Sequence, residues 1–138
     1  MSKFDRLLQE YAALSYEELL TFAKRCYGEI AAELSAHVRD GHDAPLSVFA
    51  ACMGADGRLS RPEYDFINDL TDAKRSFEDT LSLIRGMSAE GCRRTTNALA
   101  DSLPSSKKAA LISLCICFVA VDRSISAGET EFIQSLMA

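Results

Sequence analysis

The sequence predicts an all-α fold, a compact bundle of seven or eight helices containing two helix hairpins related by an approximate two-fold. Three observations lead there. Apolar residues recur at spacings of three and four almost everywhere, no run of Val or Ile alternates strictly with polar residues, and one stretch of chain occurs twice. At 138 residues, 48% hydrophobic and 25% charged, the chain can bury one core and is too apolar for disorder, so a single domain over residues 1–138 is expected.

Each element has its own signal. Phe4, Leu7, Leu8, Tyr11 and Leu14 form one stripe, the mark of a first amphipathic helix. Ser15 with Glu18 has the spacing of a capping box, and Leu14 and Leu19 are placed as its hydrophobic staple. The second helix runs to about His37, burying Leu19, Phe22, Ala23, Cys26 and Ile30, and Gly41 and Pro45 mark the break after it. The segment LSVFAACMGA predicts a third helix, apolar on several sides. Ser60 starts a fourth with Phe66, Ile67 and Leu70 on one face, a fifth carries Phe77, Leu81 and Ile84, and Ser88 caps a sixth with a weaker apolar face. Pro104 suits the first turn of a seventh helix better than its interior. From Ala109 to Val121 that helix has almost no polar face, which puts it at the centre of the bundle. Those residues reach about 20 Å as a helix, short of the roughly 30 Å needed to cross a bilayer, so no transmembrane segment is expected. A last helix begins near Ser126.

The duplication is the most informative feature. VFAACMGADGRLSRPEYDFINDLT, from Val48, lies without a gap on LCICFVAVDRSISAGETEFIQSLM, from Leu114, at an offset of 66 (114 less 48). Asp56 falls on Asp122, Ser60 on Ser126, Glu63 on Glu129, Phe66 on Phe132, Ile67 on Ile133 and Leu70 on Leu136. Each copy is an apolar helix, an Asp, a short turn, Ser-x-x-Glu and a second amphipathic helix. Ser60 and Ser126 are placed as N-caps, and Glu63 and Glu129 at the third helical position can return a bond to the cap amide. Asp56 and Asp122 follow the end of a helix, where negative charge is mildly unfavourable, so something must offset them. Candidates are an arginine (Arg58, Arg61 or Arg123), turn amides or a cation. If both turns lie at one end of the bundle, Asp56, Glu63, Asp122 and Glu129 form a cluster of carboxylates whose mutual repulsion raises at least one pKa.

A self-contained EF-hand does not fit. Taking Asp56 as the fifth loop position puts Cys52 and Gly54, and Phe118 and Ala120 in the second copy, where carboxylate oxygens are needed. A site shared between the two half-loops stays open. Oxygen-rich, thiol-free positions suit Ca²⁺ or Mg²⁺.

Other functions are disfavoured. A net charge of −5 opposes a nucleic-acid partner. The five cysteines show no ligand spacing and read as buried thiols in a reducing compartment, and the acidic, amphipathic start carries no signal-peptide pattern. His37 and His42, without a dependable third ligand, read as a surface turn. No nucleophile or phosphate-binding loop accompanies the carboxylates, so no enzyme is expected.

The nonapeptides ADGRLSRPE and VDRSISAGE resemble the signature of the tellurite-resistance TerB-like family. The first keeps Ala55, Asp56, Gly57, Leu59, Ser60 and Glu63; the second keeps Asp122, Ile125, Ser126 and Glu129 but has Arg123 in place of glycine. The resemblance covers the chain from about Tyr11 onward. It implies an all-helical domain of two hairpins about a pseudo-two-fold, a cytoplasmic bacterial setting, a stress-response role and no catalytic reaction. It also implies Asp56, Glu63, Asp122 and Glu129 as divalent-metal ligands, with Arg123 a departure that could neutralise Asp122 in place of an ion. The expected partner is a protein, a homodimer included. The alternative is a metal-independent interaction or scaffold domain whose acidic residues cap helices.

Overall fold

A computed structural model describes residues 2–37, 44–53, 58–122 and 125–137. Among them the chain forms eight α-helices and no strand: α1 (Lys3–Ala12), α2 (Tyr16–His37), α3 (Ala44–Met53), α4 (Arg61–Thr71), α5 (Phe77–Arg85), α6 (Ala89–Ser102), α7 (Ser105–Ala120) and α8 (Ala127–Leu136).

Most boundaries follow from side chains that satisfy the orphan amides of a first turn. Ser15 Oγ accepts from Glu18 N at 3.1 Å and Glu18 Oε1 accepts from Ser15 N at 2.9 Å, the expected capping box of α2. Ser76 and Ser88 cap α5 and α6, each accepting an amide at 3.1 Å. A box that the sequence reading passed over joins Ser2 and Asp5 at the start of α1. Asp is one methylene shorter than Glu, and its return bond is long at 3.4 Å. Pro104 stands at the N-cap of α7, one position before the first turn, with φ −59 and ψ 157. There its missing N–H costs nothing.

Helix α7 is the hub. It packs against α1, α2, α3, α4, α6 and α8, and every residue from Leu114 to Val121 is buried. Cys115 and Cys117 project to different sides of α7, yet both are fully buried, because helices surround it. Phe118 stacks on Phe49 of α3 with ring centroids 4.6 Å apart, and Phe66 of α4 closes the cluster at 6.0 Å from Phe49 and 6.2 Å from Phe118. Three aromatic rings thus join the two duplicated segments at the middle of the core.

Burial differs from expectation at particular positions. On α2, Leu20 and Leu34 join Leu19, Ala23, Cys26 and Ile30 inside, while Phe22 is only partly buried, 5.8 Å from the ring of Tyr11. The core-facing stripe of this 22-residue helix is wide enough to take Leu20, and Phe22 falls at its edge. Cys92 is half-buried, whereas the other four thiols are inside. No described helix is long and apolar enough to cross a membrane.

The connection from α4 to α5 is shaped locally. Asp72 and Lys74 both take φ of 54, in the left-handed region, so the chain reverses sharply. Tyr64 Oη and Asn68 Nδ2 both donate to the Arg75 carbonyl, at 2.5 and 2.9 Å. Phe77 then packs edge-on against Tyr64 at 5.3 Å. These contacts hold α5 alongside α4 and over the end of the bundle where α4 and α8 begin.

Candidate functional site

The site begins with two helix starts. Ser60 Oγ accepts from Glu63 N at 3.3 Å while Glu63 Oε1 accepts from Ser60 N at 2.8 Å. Ser126 Oγ accepts from Glu129 N at 3.1 Å while Glu129 Oε1 accepts from Ser126 N at 2.7 Å. Both boxes are complete, and Pro62 sits in the first turn of α4 where no intrahelical amide is needed. Leu59, just before the first cap, is buried, and its counterpart Ile125 is half-buried against the core. Packing around the turns therefore carries both glutamates inward: Glu63 is 3% and Glu129 9% exposed.

The two turns meet. Glu63, Asp122 and Glu129 line one cavity of about 570 Å³, together with both cap serines. Of the four expected carboxylates, the fold brings these three to one place. Asp56 and Arg123 lie outside the described residues, as do Gly57 and His42.

Electrostatics follow from this convergence. Burial pushes the Glu63 carboxyl up to about 7; the bonds from Ser60 pull it back, and the negative fields of Asp122 and Glu129 add to the rise. Mutual repulsion was the expected cause of a raised pKa; on Glu63 burial is the larger cause and repulsion only adds to it. Yet the carboxylates do not close on a point: among the described residues no group of three His, Cys, Asp or Glu is placed to hold a metal ion. Each glutamate commits its Oε1 to a cap amide, which fixes its direction along the helix start.

The rest of the cavity was not anticipated. Phe77, Leu81 and Arg85 of α5 line it, one face at spacings of four, along with Met53 at the end of α3, Arg58 and Leu59. The sequence shows the apolar stripe of α5, but α5 lies outside the duplicated stretch, and nothing local says that its stripe faces the turns. Chemically, the site combines buried carboxylates, exposed guanidinium groups and an apolar wall.

Known proteins offer no template for it. No family model, curated protein or solved structure matches the chain. The likeness to the TerB-like signature therefore rests on the two nonapeptides alone, and the site must be read from its own geometry.

A second region supports the same end of the bundle. Arg93 Nε of α6 donates to the Ala51 carbonyl in the last turn of α3 at 3.0 Å, and its guanidinium lies 5.1 Å from the ring of Phe132. Arg93 thus ties the helix that enters the first turn to the helix that leaves the second.

Proposed function

We propose that the protein is a non-catalytic binding module whose working surface is the cavity at the starts of α4 and α8. The observation that carries this reading is the arrival of Glu63, Asp122 and Glu129, from segments 66 residues apart (129 less 63), on one cavity. Burying a carboxylate is costlier than burying an amide. That cost is accepted here at two positions that a Gln would cap as well.

Two occupants fit this frame. The first is a divalent cation, Ca²⁺ or Mg²⁺, with Asp56, Glu63, Asp122 and Glu129 as its ligands, as the TerB-like resemblance implies, in a cytoplasmic stress-response setting. Its donors would be oxygens alone, as these hard ions require. The second is a protein partner, with no metal, the glutamates serving as caps. The completed capping boxes and the lack of a three-ligand group among the described residues favour the second. Titration calorimetry with Ca²⁺ and Mg²⁺ on chelator-treated protein separates them. Heats that vanish in Asp122→Asn with Glu129→Gln support the cation, and indistinguishable heats in wild type and this double variant exclude it.

We also read the hairpins α3–α4 and α7–α8 as related by an approximate two-fold that includes α2 and α6. Exchanging α2 with α6, α3 with α7 and α4 with α8 turns the packing of α2 on α7 into that of α6 on α3, α2 on α4 into α6 on α8, and α4 on α7 into α8 on α3. All six packings occur. On this reading the cavity lies where the two copies' turns face each other, which is why both contribute the same residue types.

A further inference from the structure

We propose that this cavity receives the side chain of a lysine or arginine from a protein partner, its alkyl stem against the apolar wall and its cationic head among the carboxylates. The inference rests on reading the cavity as the working surface, and it names what enters. Size is the first ground. A cavity of about 570 Å³ is in the range that admits an organic group, whereas Ca²⁺ or Mg²⁺ needs oxygens gathered around one point. No such gathering exists among the described residues. An ammonium or guanidinium is satisfied by one or two carboxylates at hydrogen-bond distance, and its donors fan out to groups that stand apart.

The lining is the second ground. Leu59, Phe77 and Leu81 supply apolar surface that a hydrated ion cannot use and that a run of methylenes covers well. Glu63, Asp122 and Glu129 supply charge complementarity, and the net charge of −5 steers a basic segment toward the chain. Arg58 and Arg85 line the same cavity but take no part in the ion pairs found among the described residues, Arg61–Asp65, Arg94–Glu90 and Lys107–Glu33. Their charges oppose a free polycation. They suit a basic side chain carried on a peptide, whose backbone carbonyls a guanidinium can bind.

The test is a backbone-amide NMR titration of the isotope-labelled full chain in chelator-containing buffer. The probe is Nα-acetyl-lysine methylamide, compared with its norleucine and glutamate counterparts and with spermidine. The lysine probe is expected to shift amides of residues 59–61, 63, 77–85 and 126–129. Norleucine should bind about tenfold more weakly, the worth of a charge-assisted bond. Asp122→Asn and Leu81→Ala should each weaken the lysine probe, one through the head and the other through the stem, so a folding failure in one leaves the other as a test. Equal binding of norleucine, tighter binding of glutamate, displacement of lysine by equimolar spermidine, or no shift at all overturns the inference. Calorimetric heats for Ca²⁺ or Mg²⁺ without a lysine response sink it while sparing the cation reading, and a lysine response without ion heats does the reverse.

Discussion

Replacing Glu63 by glutamine isolates the energetic consequence of the site. Burial and the neighbouring carboxylates raise its pKa from 4.5 to about 7. The folded state therefore holds a proton that the unfolded state releases at lower pH, and the sign follows. Below about pH 4.5 both states are protonated and Glu63 costs nothing. Between about 4.5 and 7 folding stability falls as pH rises, and above 7 the loss is complete. At about 1.36 kcal/mol per tenfold change in proton affinity, the gap from 4.5 to about 7 amounts to about 3 kcal/mol. The Glu63→Gln side chain keeps an oxygen to accept from Ser60 N, so the cap survives while the ionisation cost disappears. In urea denaturation with chelator present, the variant should match wild type near pH 4.5 and exceed it by about 2–3 kcal/mol at pH 8. Taking the difference between the two proteins cancels other titrating groups. The lowered pKa values of Glu18 and Glu33 act below this window in any case, since they add stability that is lost only as pH falls. A difference that does not change with pH, or a variant less stable at pH 8 than at pH 4.5 relative to wild type, refutes the placement of Glu63 among buried carboxylates.

Three further outcomes are expected. Ser126→Ala removes the cap of α8 and should cost about 1 kcal/mol in denaturant unfolding, with Ser126→Asp restoring most of it. Cys92, half-buried, should be the first thiol labelled by a disulfide reagent under native conditions, while Cys26 and Cys117, pushed by burial to about 11 and about 12, stay unlabelled until the protein unfolds; mass spectrometry of digested protein reads the order. Lys74→Gly should raise the thermal midpoint, because a non-glycine residue at φ 54 carries roughly 1 kcal/mol of strain that glycine relieves; an unchanged or lower midpoint would contradict that backbone.

How much of this was legible depended on the range of each interaction. The boxes Ser15–Glu18, Ser60–Glu63 and Ser126–Glu129 bond across three residues, so their chemistry is written in adjacent letters and the helix starts could be read directly. The centrality of α7 was legible because a helix without a polar face can be satisfied only by neighbours on every side. The bond from Arg93 to the Ala51 carbonyl crosses 42 residues and had no local sign. Phe22 was misplaced because periodicity identifies a helix face but not how widely its neighbours cover it.

The sequence by itself determined the helices, the caps at Ser15, Ser60, Ser88 and Ser126, and the pairing of Glu63 with Glu129 and of Asp56 with Asp122, because capping acts across three residues and duplicated spacing survives wherever local geometry must be repeated. Only the tertiary structure decided that Glu63, Asp122 and Glu129 share a cavity, that α5 walls it with Phe77 and Leu81, and that among the described residues no three carboxylates gather on a point. Those facts depend on how helices far apart in the chain pack, and packing is set by the summed burial of many side chains, with no one motif encoding it.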